Sequence, residues 1–141
     1  PRGAPVTAFV RFDNQIIRQK TQIYHPNCLI VVDHTQAKSP LSYSGLKPNS
    51  ILVLNSSQSL QQPPHQNLRI TGLVNATQIA LEELGRPITN SCMLGAFAAT
   101  TGWLDLESVL AALKKYFKGE ALTKNERSAE RGAKEVKVTK W

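Results

Sequence analysis

With 141 residues, 41% hydrophobic and 6% aromatic, the chain has apolar material for one α/β domain with a modest core, and two independent domains would be crowded. Its formal net charge of +7 invites a nucleic-acid reading, but the cations gather between Lys114 and Lys140 with Glu120, Glu126, Glu130 and Glu135 among them. That is the pattern of a solvated helix and not of cations interleaved with stacking aromatics. No apolar stretch approaches the roughly 18 residues that cross a bilayer, and Cys28 and Cys92 lie beside apolar neighbours, as buried thiols of a reducing compartment do. The expectation is a cytoplasmic protein with neither nucleic acid nor membrane as a partner.

The segment Gly3-Ala4-Pro5-Val6-Thr7-Ala8-Phe9-Val10-Arg11-Phe12 is rich in strand formers, and Asp13-Asn14 is a turn signal before Ile16-Ile17-Arg18, which together predict a β-hairpin. The chain opens on Pro1 with a strand almost at once, so it is read as incomplete at its start. Cys28 to Asp33 is a continuous apolar run closed by an acid, the pattern of a strand buried on both faces, and Ile51 to Asn55 repeats it. From Ser56 to Gln66 the chain is polar, with Gln61-Gln62-Pro63-Pro64, and reads as an exposed excursion.

Leu68 to Ile70 predicts a short strand, and Ala76, Ile79, Ala80 and Leu84 recur at helical spacing up to the terminator Gly85. A second helix, Cys92 to Thr101, is full of small residues, so another backbone can approach it closely. A third starts at Leu104 or Asp105 with the stripe Leu106, Val109, Leu110 and Leu113; a fourth, more polar, covers Asn125 to Lys134. The tail from Glu135 to Trp141 alternates like a strand.

Chemistry-bearing patterns are sparse. His25, His34 and His65 are scattered without a cysteine pair, and two cysteines fall short of the roughly four that hold an iron–sulfur cluster. There is no Gly-x-Ser-x-Gly elbow and no Gly-x-x-x-x-Gly-Lys-Ser/Thr loop. Asp33 reads as a cap for the segment after its strand and His34 as a surface histidine. Thr89 and Asn90 precede the small-residue helix as N-cap candidates, where free backbone amides suit an anion and Arg86 is within reach to assist.

Three segments together resemble the gamma subunit of pyruvate and related 2-oxoacid:ferredoxin oxidoreductases. They are Arg2-Gly3-Ala4-Pro5-Val6-Thr7-Ala8-Phe9 running on to Gln22-Ile23-Tyr24; Gly45-Leu46-Lys47-Pro48 leading into Ile51-Leu52-Val53-Leu54-Asn55; and Asn75-Ala76-Thr77 with Leu84-Gly85-Arg86-Pro87-Ile88, Met93-Leu94-Gly95-Ala96 and Leu106-Glu107-Ser108. The order and spacing fit across nearly the whole chain. Two departures stand out: Asn49-Ser50 replaces a glycine pair of the family, and the family's opening Gly-x-Gly-Gly-Gln-Gly turn is absent from the sequence.

The resemblance implies one gamma-type α/β domain over residues 1–141, a three-layer Rossmann-like mixed sheet with a β-hairpin that lacks its first βα unit. It implies a subunit without activity of its own, in a complex that decarboxylates pyruvate or a branched-chain 2-oxoacid on thiamine diphosphate, passes electrons through [4Fe-4S] clusters to ferredoxin or flavodoxin, and forms acyl-coenzyme A. Thiamine diphosphate, Mg2+ and the clusters would sit in alpha, beta and delta-type partners, with no metal on this chain. Asn90, Thr89 and Arg86 become coenzyme A contact candidates, and Gly3, Ala4, Pro5, Gly95 and Ala96 subunit-interface candidates. The competing readings are a basic nucleic-acid-binding module, whose affinity would fall steeply with salt, and a nucleotide-binding α/β module, which needs a glycine phosphate loop.

Overall fold

The computed structural model describes residues 6–141, so the expectations that fall on Gly3, Ala4 and Pro5 lie outside the described residues. Strands β1 (Cys28–Val31), β2 (Ser50–Asn55), β3 (Leu68–Val74) and β4 (Lys137–Lys140) form one mixed sheet in that order, the first three parallel and β4 antiparallel to β3. Helices α1 (Ala76–Leu84), α2 (Asn90–Thr101), α3 (Leu106–Leu113) and α4 (Gly119–Glu135) follow β3 and precede β4.

Every residue of β2 is buried, and its side chains alternate between two cores. Ile51 and Val53 join Val74, Ile79, Cys92, Met93 and Phe97 on the helical face, while Leu52 and Leu54 join Ala37, Tyr43, Leu46, Leu68 and Leu73 on the other. Two short 3-10 turns, His34–Lys38 and Pro40–Tyr43, cover that second face in place of α-helices. They are fastened by the Tyr43 hydroxyl, which donates to the Ala37 carbonyl at 2.5 Å, and by stacking of Tyr43 on His65 with ring centroids 5.4 Å apart. The α/β class and the parallel core are as expected; the second covering layer is thinner. The polar excursion contributes to it, because Leu60 packs against this core and His65 is half-buried.

On the helical face the small residues of α2 meet those of α4. A Cβ built on Gly95 would lie 2.8 Å from the Ala129 carbonyl carbon, and one on Gly132 would lie 2.9 Å from that of Cys92, so the two backbones touch where side chains would otherwise stand. The close approach expected of α2 is therefore made by the chain's own α4. That helix begins at Gly119, earlier than Asn125, because its first turns are polar and offer no apolar stripe to read.

Two expectations are corrected. Between Val6 and Gln22 no strand forms: Arg11 donates from its guanidinium to the Thr21 and Gln22 carbonyls and folds the segment back, but the two limbs enclose a hollow of about 400 Å3, lined by Phe9, Ile17 and Gln19 among others, where a ladder would need direct contact. β1 is not buried on both faces. It is an edge strand among the described residues, with Ile30 47% and, just past it, Val32 49% exposed.

Candidate functional site

The turn from α1 into α2 sets one wall of a groove. Asn75 starts α1 by accepting a hydrogen bond from the Gln78 amide at 3.2 Å, and Gly85, at φ 72°, ends it. Arg86 and Pro87 then carry the chain, exposed, to Thr89 and α2. The opposite wall is the start of α4 with Phe117, Glu120, Ala121 and Lys124, and the groove between them holds about 350 Å3. Asn125 also lines it: its side-chain oxygen accepts from the buried Ser91 hydroxyl at 2.7 Å, and its side-chain amide donates to the Ala121 carbonyl at 2.8 Å.

The charge of this groove is uneven, with a cation on the Arg86 wall and both signs on the α4 wall. Arg86 lines it and forms no ion pair among the described residues, while Lys124 is held by Glu120 at 3.2 Å. Thr89 is buried and occupies the cap position of α2 without a side-chain capping bond, and Asn90 is the first helical residue and exposed. The first amides of α2 are thus not satisfied by a capping side chain. Sequence reading placed Arg86, Thr89 and Asn90 together, and the fold does bring them to one end of α2. It missed Ser91, Lys124 and Asn125, because Lys124 and Asn125 lie on α4, which comes beside Ser91 and the start of α2 only through the tertiary crossing.

The carboxyl end of the sheet is structural. Asp33 accepts from the Thr35 hydroxyl at 2.8 Å and from its amide at 3.0 Å, and these bonds hold its carboxyl below the usual aspartate range. Asn55 is saturated by four bonds, donating to the Val32 carbonyl and the Thr77 hydroxyl and accepting from the Ala76 and Thr77 amides. Of the residues expected at a subunit interface, Gly95 packs against the Ala129 backbone of α4, and Ala96 is buried in the core beside the sheet with Ile51, Val53 and Phe97.

The donor set does not fit an iron–sulfur cluster. Burial pushes the Cys28 thiol up to about 12 and the Cys92 thiol up to about 11, and no group of three or more His, Cys, Asp or Glu side chains that could hold a metal ion exists among the described residues. No helix of the described residues is long and apolar enough to cross a membrane.

Comparison with known proteins matches the family model described as pyruvate ferredoxin/flavodoxin oxidoreductase over residues 1–135, to the last residue of α4. The chain belongs to this family. Within the family it is 41% identical to the pyruvate/ketoisovalerate oxidoreductases common subunit gamma of Pyrococcus furiosus, over 97% of this chain and 76% of that protein. It is 44% identical to the gamma subunit of NADH-dependent phenylglyoxylate dehydrogenase of Aromatoleum evansii, over 97% of this chain and 73% of that one. The crystal structure of a pyruvate oxidoreductase subunit from Thermotoga maritima superposes with a TM-score of 0.75 at 33% identity, covering 84% of this chain and 67% of that one. The departure Asn49-Ser50 from the family's glycine pair has a physical account here. Asn49 sits at φ 61°, a left-handed position that asparagine tolerates after glycine, and Ser50 is buried with its hydroxyl on the Lys47 carbonyl.

Proposed function

We propose that the chain is the gamma subunit of a thiamine-diphosphate-dependent 2-oxoacid:ferredoxin oxidoreductase, contributing structure and part of the coenzyme A path but no catalytic group. The observation that carries the reading is the family match along nearly the full chain, joined to relatives that are themselves gamma subunits of oxidoreductases. Those relatives act with different 2-oxoacids, pyruvate or ketoisovalerate in one and phenylglyoxylate in another, so the grip on the 2-oxoacid is assigned to partner subunits of alpha, beta and delta type. The decarboxylation belongs to thiamine diphosphate and the electron path to iron–sulfur clusters on those partners, ending on ferredoxin or flavodoxin. Pyruvate or a branched-chain 2-oxoacid is the substrate proposed.

The groove gives this chain its own part. Arg86 on one wall favours a phosphate, with the uncapped start of α2 at Thr89 and Asn90 a few residues further along the chain, Lys124 shares the opposite wall with its partner Glu120, and Ile88, Leu84 and Phe117 offer apolar contact, which suits the phosphate-rich end of coenzyme A. Reconstitution tests the assignment: partner subunits purified without this chain should regain coenzyme-A-dependent 2-oxoacid oxidation when the full native chain is added. No gain at saturating chain would overturn it.

A further inference from the structure

Val6 to Ile23 carries strand-forming residues, contains no proline, and so presents an N–H at every position. Yet among the described residues not one backbone group in this stretch is bonded to another backbone group. Among the described residues the only engaged amide there is that of Gln15, on Asp13, and the only engaged carbonyls are those of Thr21 and Gln22, on Arg11. The apolar side chains face water as well: Val6 is 88%, Val10 75% and Ile16 85% exposed, with Phe9 and Phe12 also exposed. Strand-forming residues whose backbone is unpaired among the described residues, beside exposed apolar side chains, have the composition of a strand without its sheet.

The arm is nevertheless held in place. Phe12 meets Trp103 edge-on with centroids 5.7 Å apart, and Trp103 meets Phe97 of the core at 6.0 Å. At the other end the Lys47 amide donates to the Pro26 carbonyl at 2.9 Å and the Ile51 amide to the Asn27 carbonyl at 3.1 Å. Arg11, Arg18 and Lys20 face a single carboxylate on the arm, Asp13, so its charge favours an acidic counterpart. We propose that residues 6–23 are a docking arm that adds by backbone pairing to an open strand edge of a partner subunit bearing carboxylates along that edge. This rests on the reading of the chain as a subunit of an oxidoreductase complex.

The test uses the full native chain, alone and in the complex purified with its own partner subunits, and compares hydrogen exchange of the amides from Val6 to Ile23. In the complex these amides should exchange on the order of tenfold or more slowly than in the isolated chain, as pairing into a sheet requires. The double variant Arg18→Glu/Lys20→Glu should weaken assembly on the order of tenfold, while Arg18→Gln/Lys20→Gln weakens it less. A complex that forms with the arm exchanging as freely as in the isolated chain would overturn the arm and leave the subunit reading standing. Protection that grows with concentration in the isolated chain would make a second copy the occupant and overturn the partner assigned here. Failure of any complex to form would overturn the subunit reading, and the arm with it.

Discussion

Gly95 and Gly132 lie at the crossing of α2 and α4, each so close to the other helix that a Cβ would overlap a carbonyl of its backbone. The neighbours are main chain and cannot turn aside as a side chain would. Gly95→Ala and Gly132→Ala should each lower stability by about 2–3 kcal/mol, read from urea unfolding of the isolated chain. Gly72→Ala differs, because its new Cβ meets the Thr100 side chain. Adding Thr100→Ala should recover part of that loss, whereas no side-chain deletion should rescue Gly95→Ala.

Asn55 ties the ends of β1, β2 and α1 together through four hydrogen bonds in a largely buried place. Asn55→Ala leaves those partners unmatched and should cost about 2 kcal/mol, seen as a fall in thermal midpoint without change of helical content.

The buried thiols make a chemical prediction. Raised to about 12 and about 11, Cys28 and Cys92 hold little thiolate at neutral pH, and Glu135 adds to the rise at Cys92. Alkylation by iodoacetamide at pH 8 should be slow in the folded chain and fast in urea. Rapid labelling of Cys92 in the fold would contradict its packing against α4.

Stability should fall in acid. Hydrogen bonds from Thr35 lower Asp33, those from Arg131 and Gln78 lower Glu82, and those from Ser108 lower Asp105. A carboxyl whose folded value lies below its unfolded one stabilises the fold above the unfolded value, here 3.8 for the aspartates and 4.5 for Glu82, and loses that contribution as pH drops through the folded value. All three are solvent-facing, so the loss is small. The thermal midpoint should decline below about pH 4.5, and Arg131→Met should flatten that part of the curve by freeing Glu82.

In the groove, Arg86→Ala and Lys124→Ala should raise the KM for coenzyme A in the assembled complex several-fold, on the order of the loss of one charge-assisted contact each. Dye reduction by the 2-oxoacid in the absence of coenzyme A should be unchanged. Equal loss in both assays would remove the groove from the coenzyme A path.

What the sequence made legible follows from where the physics is local. Asn75, Gly85 and the stripe Leu106, Val109, Leu113 mark helix ends and faces within a few residues, and the structure places those helices accordingly. The run Ile51 to Asn55 reads as a buried strand because both its faces meet core. Cys28 to Val31 has the same composition but lies at an edge, and composition does not report a neighbour. The arm has strand residues without a sheet, and the pairing of Ser91 with Asn125 spans two helices, so neither could be read from local pattern.

The most direct test of the central claim is anaerobic purification of the tagged full-length native subunit, with mass spectrometry and a pyruvate- and coenzyme-A-dependent dye-reduction assay on the eluate. The account predicts a thiamine-diphosphate-binding subunit and an iron–sulfur subunit in fixed proportion, with dye reduction that needs both substrates. Recovery of the chain alone and inactive, from cells in which those subunits are present, would contradict it.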